Sequence, residues 1–210
     1  MSRQYTATVL GATGLVGKAL VNQLCQDERY SQVTCLVRSP LQKRDYHDPL
    51  NKIQALVIDF DYFQDYQGYF SVDHVYCCLG TTIKQAGSQK AFRRVDFEFV
   101  HVAAQLTRAQ RGRSFVWISA VGANAKSKNF YLRVKGEIEN AILTMPQLPN
   151  AAAVRPSFLI GERNQQRMGE SFGVKASKML SPLMIGPLAK YKPVHANHVA
   201  HQMITLQVFE

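Results

Sequence analysis

The glycine series Gly11-Ala-Thr-Gly14-Leu-Val-Gly17 constrains this chain more than any other feature, because of what stands on either side of it. Before it, Tyr5-Thr-Ala-Thr-Val-Leu10 is a short strand-like run; after it, Leu15, Ala19, Leu20 and Leu24 recur on one helical face. The order is strand, tight turn, helix. Glycines at such a turn let the backbone bend sharply and bring peptide N–H groups close to an anion at a helix N-terminus, where the helix dipole favours negative charge. Three glycines alone also make an ordinary turn or a close helix–strand contact. The rest of the chain selects the first reading, since an alternating β/α series follows.

Further strands are expected over residues 33–37, 53–58, 73–79, 114–119 and 151–155, the last stopped by Pro156. Helical periodicity covers residues 91–110 and 131–143, and a last helix is expected over 197–209, packing Val199, Met203, Ile204 and Val208. This alternation calls for an α/β fold, a doubly wound parallel sheet of the Rossmann type with helices on both faces. With 210 residues, 46% of them hydrophobic, the chain suits one domain over 1–210. Within it, 161–210 is punctuated by Gly161, Pro182, Gly186, Pro187 and Pro193 and is expected to contribute a small cap on the substrate side.

No run of 18 apolar residues occurs and the N-terminus lacks a signal-peptide pattern, so a cytoplasmic protein outside the membrane is expected. The net charge of +10 is compatible with a polyanionic ligand. Its basic residues are scattered, without the aromatic interleaving of an RNA-binding surface, and no nucleic-acid partner is expected. Cys25, Cys35, Cys77 and Cys78 lack zinc spacing and are expected as reduced, buried thiols; strand geometry turns adjacent Cys77 and Cys78 to opposite faces. His195, His198 and His201 recur every third residue, but no neighbouring carboxylate or cysteine completes a ligand set, and no metal is expected. Trp117 alternates with Phe115 and Ser119 as a core residue would.

The turn points to the diphosphate of a nicotinamide dinucleotide, held by Gly11, Thr13, Gly14, Leu15, Val16 and Gly17. NAD-selective sites place an acidic residue near the end of the second strand for the ribose 2′-hydroxyl, whereas NADP needs a cation there. This chain has Leu36-Val37-Arg38-Ser39 and no carboxylate, so NADP(H) is expected, with Arg38 on the 2′-phosphate and Ser39 beside it. Downstream, Ser119 ends the fifth expected strand, and Tyr131 and Lys135 stand four residues apart at the start of the next helix, on one face. Such a trio suits carbonyl chemistry. Tyr131 handles the substrate proton, Lys135 lowers the phenol's pKa and holds the nicotinamide ribose, and Ser119 hydrogen-bonds the substrate oxygen.

With these pieces in order, the chain resembles the atypical short-chain dehydrogenase/reductases, and among them the Tat-interacting oxidoreductase-like family. The resemblance rests on the glycine turn, Asp59-Phe60, Cys77-Cys-Leu-Gly-Thr-Thr82, Arg94-Val-Asp96, the Ser119 region through Gly122-Ala123, Asn129-Phe-Tyr-Leu-Arg-Val-Lys-Gly-Glu137 and Val154-Arg-Pro156 continuing to Arg163. It implies a cofactor bound across the strand ends, with Asp59 and Phe60 by the adenine and Leu79, Gly80 and Thr81 beside its middle. It also implies Ser119, Tyr131 and Lys135 as the catalytic set. Asp96 departs from the wider extended reductase pattern, in which a helix asparagine supports the proton relay.

The expected activity is an NADP(H)-dependent oxidoreductase acting on a small carbonyl or alcohol substrate by hydride transfer. Two alternatives stand beside it: a non-catalytic NADPH-sensing protein that binds a partner protein, and a nucleotide-sugar epimerase-like enzyme. The part beyond about residue 163 is short for the latter.

Overall fold

A computed structural model describes residues 3–148, 150–157, 159–160 and 193–209. Strands β1 (Tyr5–Leu10), β2 (Tyr30–Val37), β3 (Ile53–Val57), β4 (His74–Cys77), β5 (Ser114–Ile118) and β6 (Ala151–Val154) form one all-parallel sheet in the order β3-β2-β1-β4-β5-β6. This is the doubly wound Rossmann order, and the crevice between β1 and β4, where the order reverses, is where such sheets take ligands. The α-helices among the described residues are α1 (Leu15–Gln26), α2 (Ile83–Ala86), α3 (Gln89–Arg93), α4 (Phe99–Ala109), α5 (Phe130–Leu143) and α6 (Ala196–Thr205). A short parallel pair joins β7 (Leu159–Ile160) to β8 (Val194–His195).

The central strands read as nearly unbroken apolar runs because both sheet faces are covered. On one face Ala7, Val9, Val33, Cys35, Tyr76 and Val116 pack with Leu20 and Leu24 of α1 and Val199 and Met203 of α6. On the other, Leu10, Leu36, Val75, Phe115 and Trp117 pack with Val100 and Ala103 of α4 and Ile138 and Ile142 of α5. Cys77 joins the second face and Cys78 packs against the first, and all four thiols are free. Trp117 is fully buried.

Two segments depart from the periodicity. Residues 60–70, without an assigned element in the sequence, form short 3-10 turns that meet at a kink and send Phe60, Phe63 and Phe70 inward. The single helix expected over 91–110 is divided: α3 and α4 are joined by one wide π-type turn over Arg94–Glu98. Periodic apolar residues persist through such a turn, so the sequence pattern does not show it, yet it buries Asp96. The expected last helix is α6, and its apolar face lies in the α1 layer of the core. Of the segment 161–210, expected to contribute the cap, residues 161–192 lie outside the described residues.

Asp73, just before β4, ties the start of that strand to β1. Its carboxylate accepts from Thr6 N at 2.9 Å, Thr6 Oγ1 at 3.2 Å and Arg3 Nη2 at 3.0 Å. Burial alone would raise its pKa, but the bonds from Thr6 and Arg3 outweigh it and hold the group below the usual carboxylate value. A depressed folded pKa gives stability that is present above the unfolded value and lost as pH falls through the folded one. Asp73→Ala is therefore expected to lower unfolding stability by about 1–2 kcal/mol at pH 7, allowing for solvent screening of the arginine contact. Urea melts of wild type and variant should converge as pH falls below about 4; a gap that persists at pH 2 would contradict this assignment.

Candidate active site

At the C-terminal edge of β1 the chain turns through Gly11 with φ of +75°, a conformation that favours glycine. A Cβ there would also lie 2.5 Å from the Cys78 carbonyl oxygen. Gly17, one turn into α1, would drive a Cβ into the Gly11 carbonyl, so α1 can only sit this close to the turn without a side chain. These two glycines shape the turn from beneath. Gly14 differs, since its φ is −75° and a Cβ would meet only the Gly11 carbonyl, at 3.3 Å. It opens instead onto a cleft of about 480 Å³.

That cleft brings together most of the residues expected from the sequence: Thr13, Gly14, Leu15 and Val16 from the turn, Leu79, Gly80 and Thr81 after β4, and Ser119, Tyr131 and Lys135. Gly11 and Gly17 lie under it as packing positions. Arg38 and Ser39 are exposed immediately after β2, on the same sheet edge but outside the cleft lining. Asp59 and Phe60 follow β3 and do not line the cleft either. Asp59 accepts from Asp61 N at 2.9 Å, and the Phe60 ring belongs to an aromatic cluster with Phe63 and Phe99 at centroid separations of 5.0 and 5.1 Å. His195, His198 and His201 are exposed and away from the cleft.

Tyr131 and Lys135 are placed by the fixing of α5. Asn129 caps the helix, its side chain accepting from Leu132 N. Gly136 lies so close to the Asn124–Ala125 backbone that no Cβ fits. At the sheet edge Arg155 grips Glu139 through two bonds of 2.8 and 2.6 Å. One face of α5 thereby points Tyr131 and Lys135 at the end of β5, where Lys135 Nζ donates to the Ile118 carbonyl at 3.3 Å.

Lys135 Nζ also stands 2.8 Å from Asp96 Oδ1, and the two side chains are 4% and 1% exposed. Thr81 N donates to the other oxygen of Asp96 at 2.9 Å. Burial would pull the lysine's pKa down, but Asp96, with help from Tyr131, outweighs it and holds the group above its ordinary value. The ammonium stays charged. For Tyr131 the expected lowering by Lys135 is present but outweighed. Burial pushes the phenol's pKa up, Lys135 opposes this, and Asp96 adds to the rise, so the net shift is upward. The sequence brought Tyr131 and Lys135 together but not the carboxylate that offsets the lysine's charge.

The residues present fit a nicotinamide dinucleotide on three observations. The N-terminus of α1 has no side-chain cap and no acidic residue in its first turn, leaving peptide donors for a diphosphate. Gly14 lines the cleft without a side chain, and the one neighbour of a Cβ there would be the Gly11 carbonyl at 3.3 Å. Ser119 Oγ is buried without a hydrogen-bond partner among the described residues, in the lining of the cleft that holds Tyr131.

The cleft also has lining residues that the motif reading missed, chiefly Lys18, Thr82, Gln85 and Ser157. Lys18 pairs with Asp45 from the β2–β3 connection, and Tyr46 of the same connection donates to the Ala12 carbonyl at 3.2 Å. The one available signal was position: Lys18 lies four residues after Gly14, one helical turn from the phosphate-binding end.

Residues 11–158 match the NAD(P)H-binding family. The chain is 33% identical over 163 residues to protein HTATIP2 of Rattus norvegicus, covering 77% of this chain and 66% of that protein. It is 31% identical over 167 residues to protein FMP52-1, mitochondrial, of Scheffersomyces stipitis, covering 77% and 70%. The FMP52 proteins of Lodderomyces elongisporus and Debaryomyces hansenii are likewise named mitochondrial, which overturns the cytoplasmic placement expected from the sequence. That expectation rested on the absence of a recognisable leader, which does not specify a compartment. Among the described residues no helix is long and apolar enough to cross a membrane. UDP-glucose 4-epimerase of Thermotoga maritima shares the fold with a TM-score of 0.71 at 14% identity, covering 95% of this chain and 72% of that one. With its glycine turn, its sheet order and its sequence all in agreement, the chain belongs to the NAD(P)H-binding family and has a Rossmann fold.

Proposed function

We propose that the chain is an NADP(H)-dependent oxidoreductase that interconverts a small carbonyl compound and its alcohol. The observation that carries this reading is the meeting of Ser119, Tyr131 and Lys135 in one cleft with the phosphate-binding turn. The nicotinamide, when bound, supplies or takes up a hydride. Ser119 Oγ, unpartnered among the described residues, donates to the carbonyl oxygen and orients it. Tyr131 gives that oxygen a proton during reduction and recovers one afterwards. Lys135 holds its ammonium beside them, and the N–H groups opening α1 hold the diphosphate.

The preference for NADP(H) rests on the end of β2, where Arg38 is exposed and no carboxylate stands. Arg38→Glu is expected to weaken NADPH by about 10- to 100-fold, the worth of one charge-assisted contact, with NADH nearly unchanged. Calorimetric titration with both cofactors reads this directly, and an equal loss for the two would remove Arg38 from the 2′-phosphate.

The activity itself is tested by following NADPH absorbance across aldehydes and ketones of increasing size, with consumption expected for a subset. A second reading is a non-catalytic NADPH sensor acting on a protein partner. Tight NADPH binding without consumption of any carbonyl would select it.

A further inference from the structure

A buried ion pair is weak evidence for stability, because desolvating two charges offsets much of their attraction. The Asp96–Lys135 pair calls for another account, since the fold goes out of its way to make it. The helix between β4 and β5 widens into a π-type turn at Arg94–Glu98, and this turn buries Asp96. The loop after β4 then gives Asp96 its second partner through Thr81 N, and Gly80 leaves room beside the pair: a Cβ there would touch Asp96 Oδ1 at 3.5 Å and Lys135 Nζ at 4.0 Å. Three separate elements converge on one carboxylate. They do so beside the residue proposed to move the proton.

We infer that Asp96 is a positioning residue that anchors the Lys135 ammonium and offsets part of its charge, so that Tyr131 stays a neutral phenol and the site works as a proton donor in carbonyl reduction. The inference rests on the oxidoreductase reading and adds a direction to it. An uncompensated ammonium beside a phenol favours phenolate, the form that takes a proton from an alcohol. With a carboxylate 2.8 Å from that ammonium, part of the ammonium's pull on Tyr131 is offset, and burial adds to the preference for the phenol. The charged and titratable groups around this centre are Asp96 on the π-type turn, Lys135 on α5 and the Cys77 thiol on β4. Burial holds that thiol up at about 12, so it contributes no charge. In the reductive step the hydride forms the new C–H bond on the carbonyl carbon and oxidises the dihydronicotinamide. The Tyr131 O–H bond breaks to give the alcohol its proton, and solvent restores that proton.

Carbon-13 NMR of protein labelled at tyrosine Cζ tests this without substrate or cofactor, so it can fail independently of the oxidoreductase reading. The Tyr131 resonance is assigned by its loss in Tyr131→Phe. In the wild type it is expected to stay mostly in the phenol form at pH 10, where free tyrosine is half ionised. In Asp96→Asn, which keeps an acceptor for Thr81 N, the phenolate-to-phenol ratio at a given pH should rise by at least about tenfold. A wild-type Tyr131 that ionises below the free value overturns the inference even if the variant does not fold. A folded Asp96→Asn with an unchanged Tyr131 titration overturns it as well. A purely structural Asp96 would move the melting temperature and leave that titration in place.

Discussion

Tyr131→Phe is expected to reduce turnover by about 10²- to 10⁴-fold, the usual contribution of a positioned general acid, while NADPH binds almost as before. The substitution removes one oxygen and keeps the ring, which packs 5.8 Å from Phe92 at a tilted angle, so α5 has no reason to move. Lys135 keeps Asp96 and the Ile118 carbonyl as partners. Because burial raises the Tyr131 pKa, the acid form persists to higher pH than in free tyrosine. The reductive rate of the wild type should accordingly hold steady through mildly alkaline conditions and fall only as the phenol ionises. Single-turnover rates at saturating NADPH would separate the chemical step from binding; an unaltered rate in the variant would take Tyr131 out of the mechanism.

Gly17→Val is expected to have the largest structural effect at the turn. Its side chain would enter the backbone of Gly11 and Ala12, which cannot rotate away as a flexible side chain does. Helix α1 must then lift from the end of β1, with a loss of about 1–3 kcal/mol or more from overpacking and of the aligned N–H groups that face the cleft. Both the melting temperature and NADPH affinity should fall. Gly14→Ala provides the contrast: the only close contact of its new methyl is 3.3 Å, so the fold should persist while cofactor affinity drops. If Gly17→Val melted and bound NADPH like the wild type, the close approach of helix and turn would have no functional weight.

The difference between these glycines shows what the sequence could and could not reveal. Spacing alone treats Gly11, Gly14 and Gly17 alike, yet only Gly11 needs a positive φ, Gly17 answers to packing, and Gly14 faces the ligand space. Strand runs such as Tyr5–Leu10 and Ser114–Ile118 were legible because both faces are buried, which leaves continuous apolar stretches bounded by polar residues. The pairing of Tyr131 with Lys135 was legible because four residues of helix is a fixed rotation. Asp96 was visible as an unusual residue, but its partner was not, since a π-type turn changes where a side chain points without altering the hydrophobic rhythm. Phe60 was read from a motif as a residue beside the adenine, and its packing was not legible. A motif places it at a strand end, and its ring packs there against Phe63 and Phe99.

Crystals grown with NADPH would examine the central claim most directly. The account predicts the diphosphate against the N–H groups at the start of α1, the 2′-phosphate by Arg38, and the nicotinamide ring between Ser119 and Tyr131. A nucleotide bound elsewhere, or one reversed so that adenine lies at Tyr131, would contradict it.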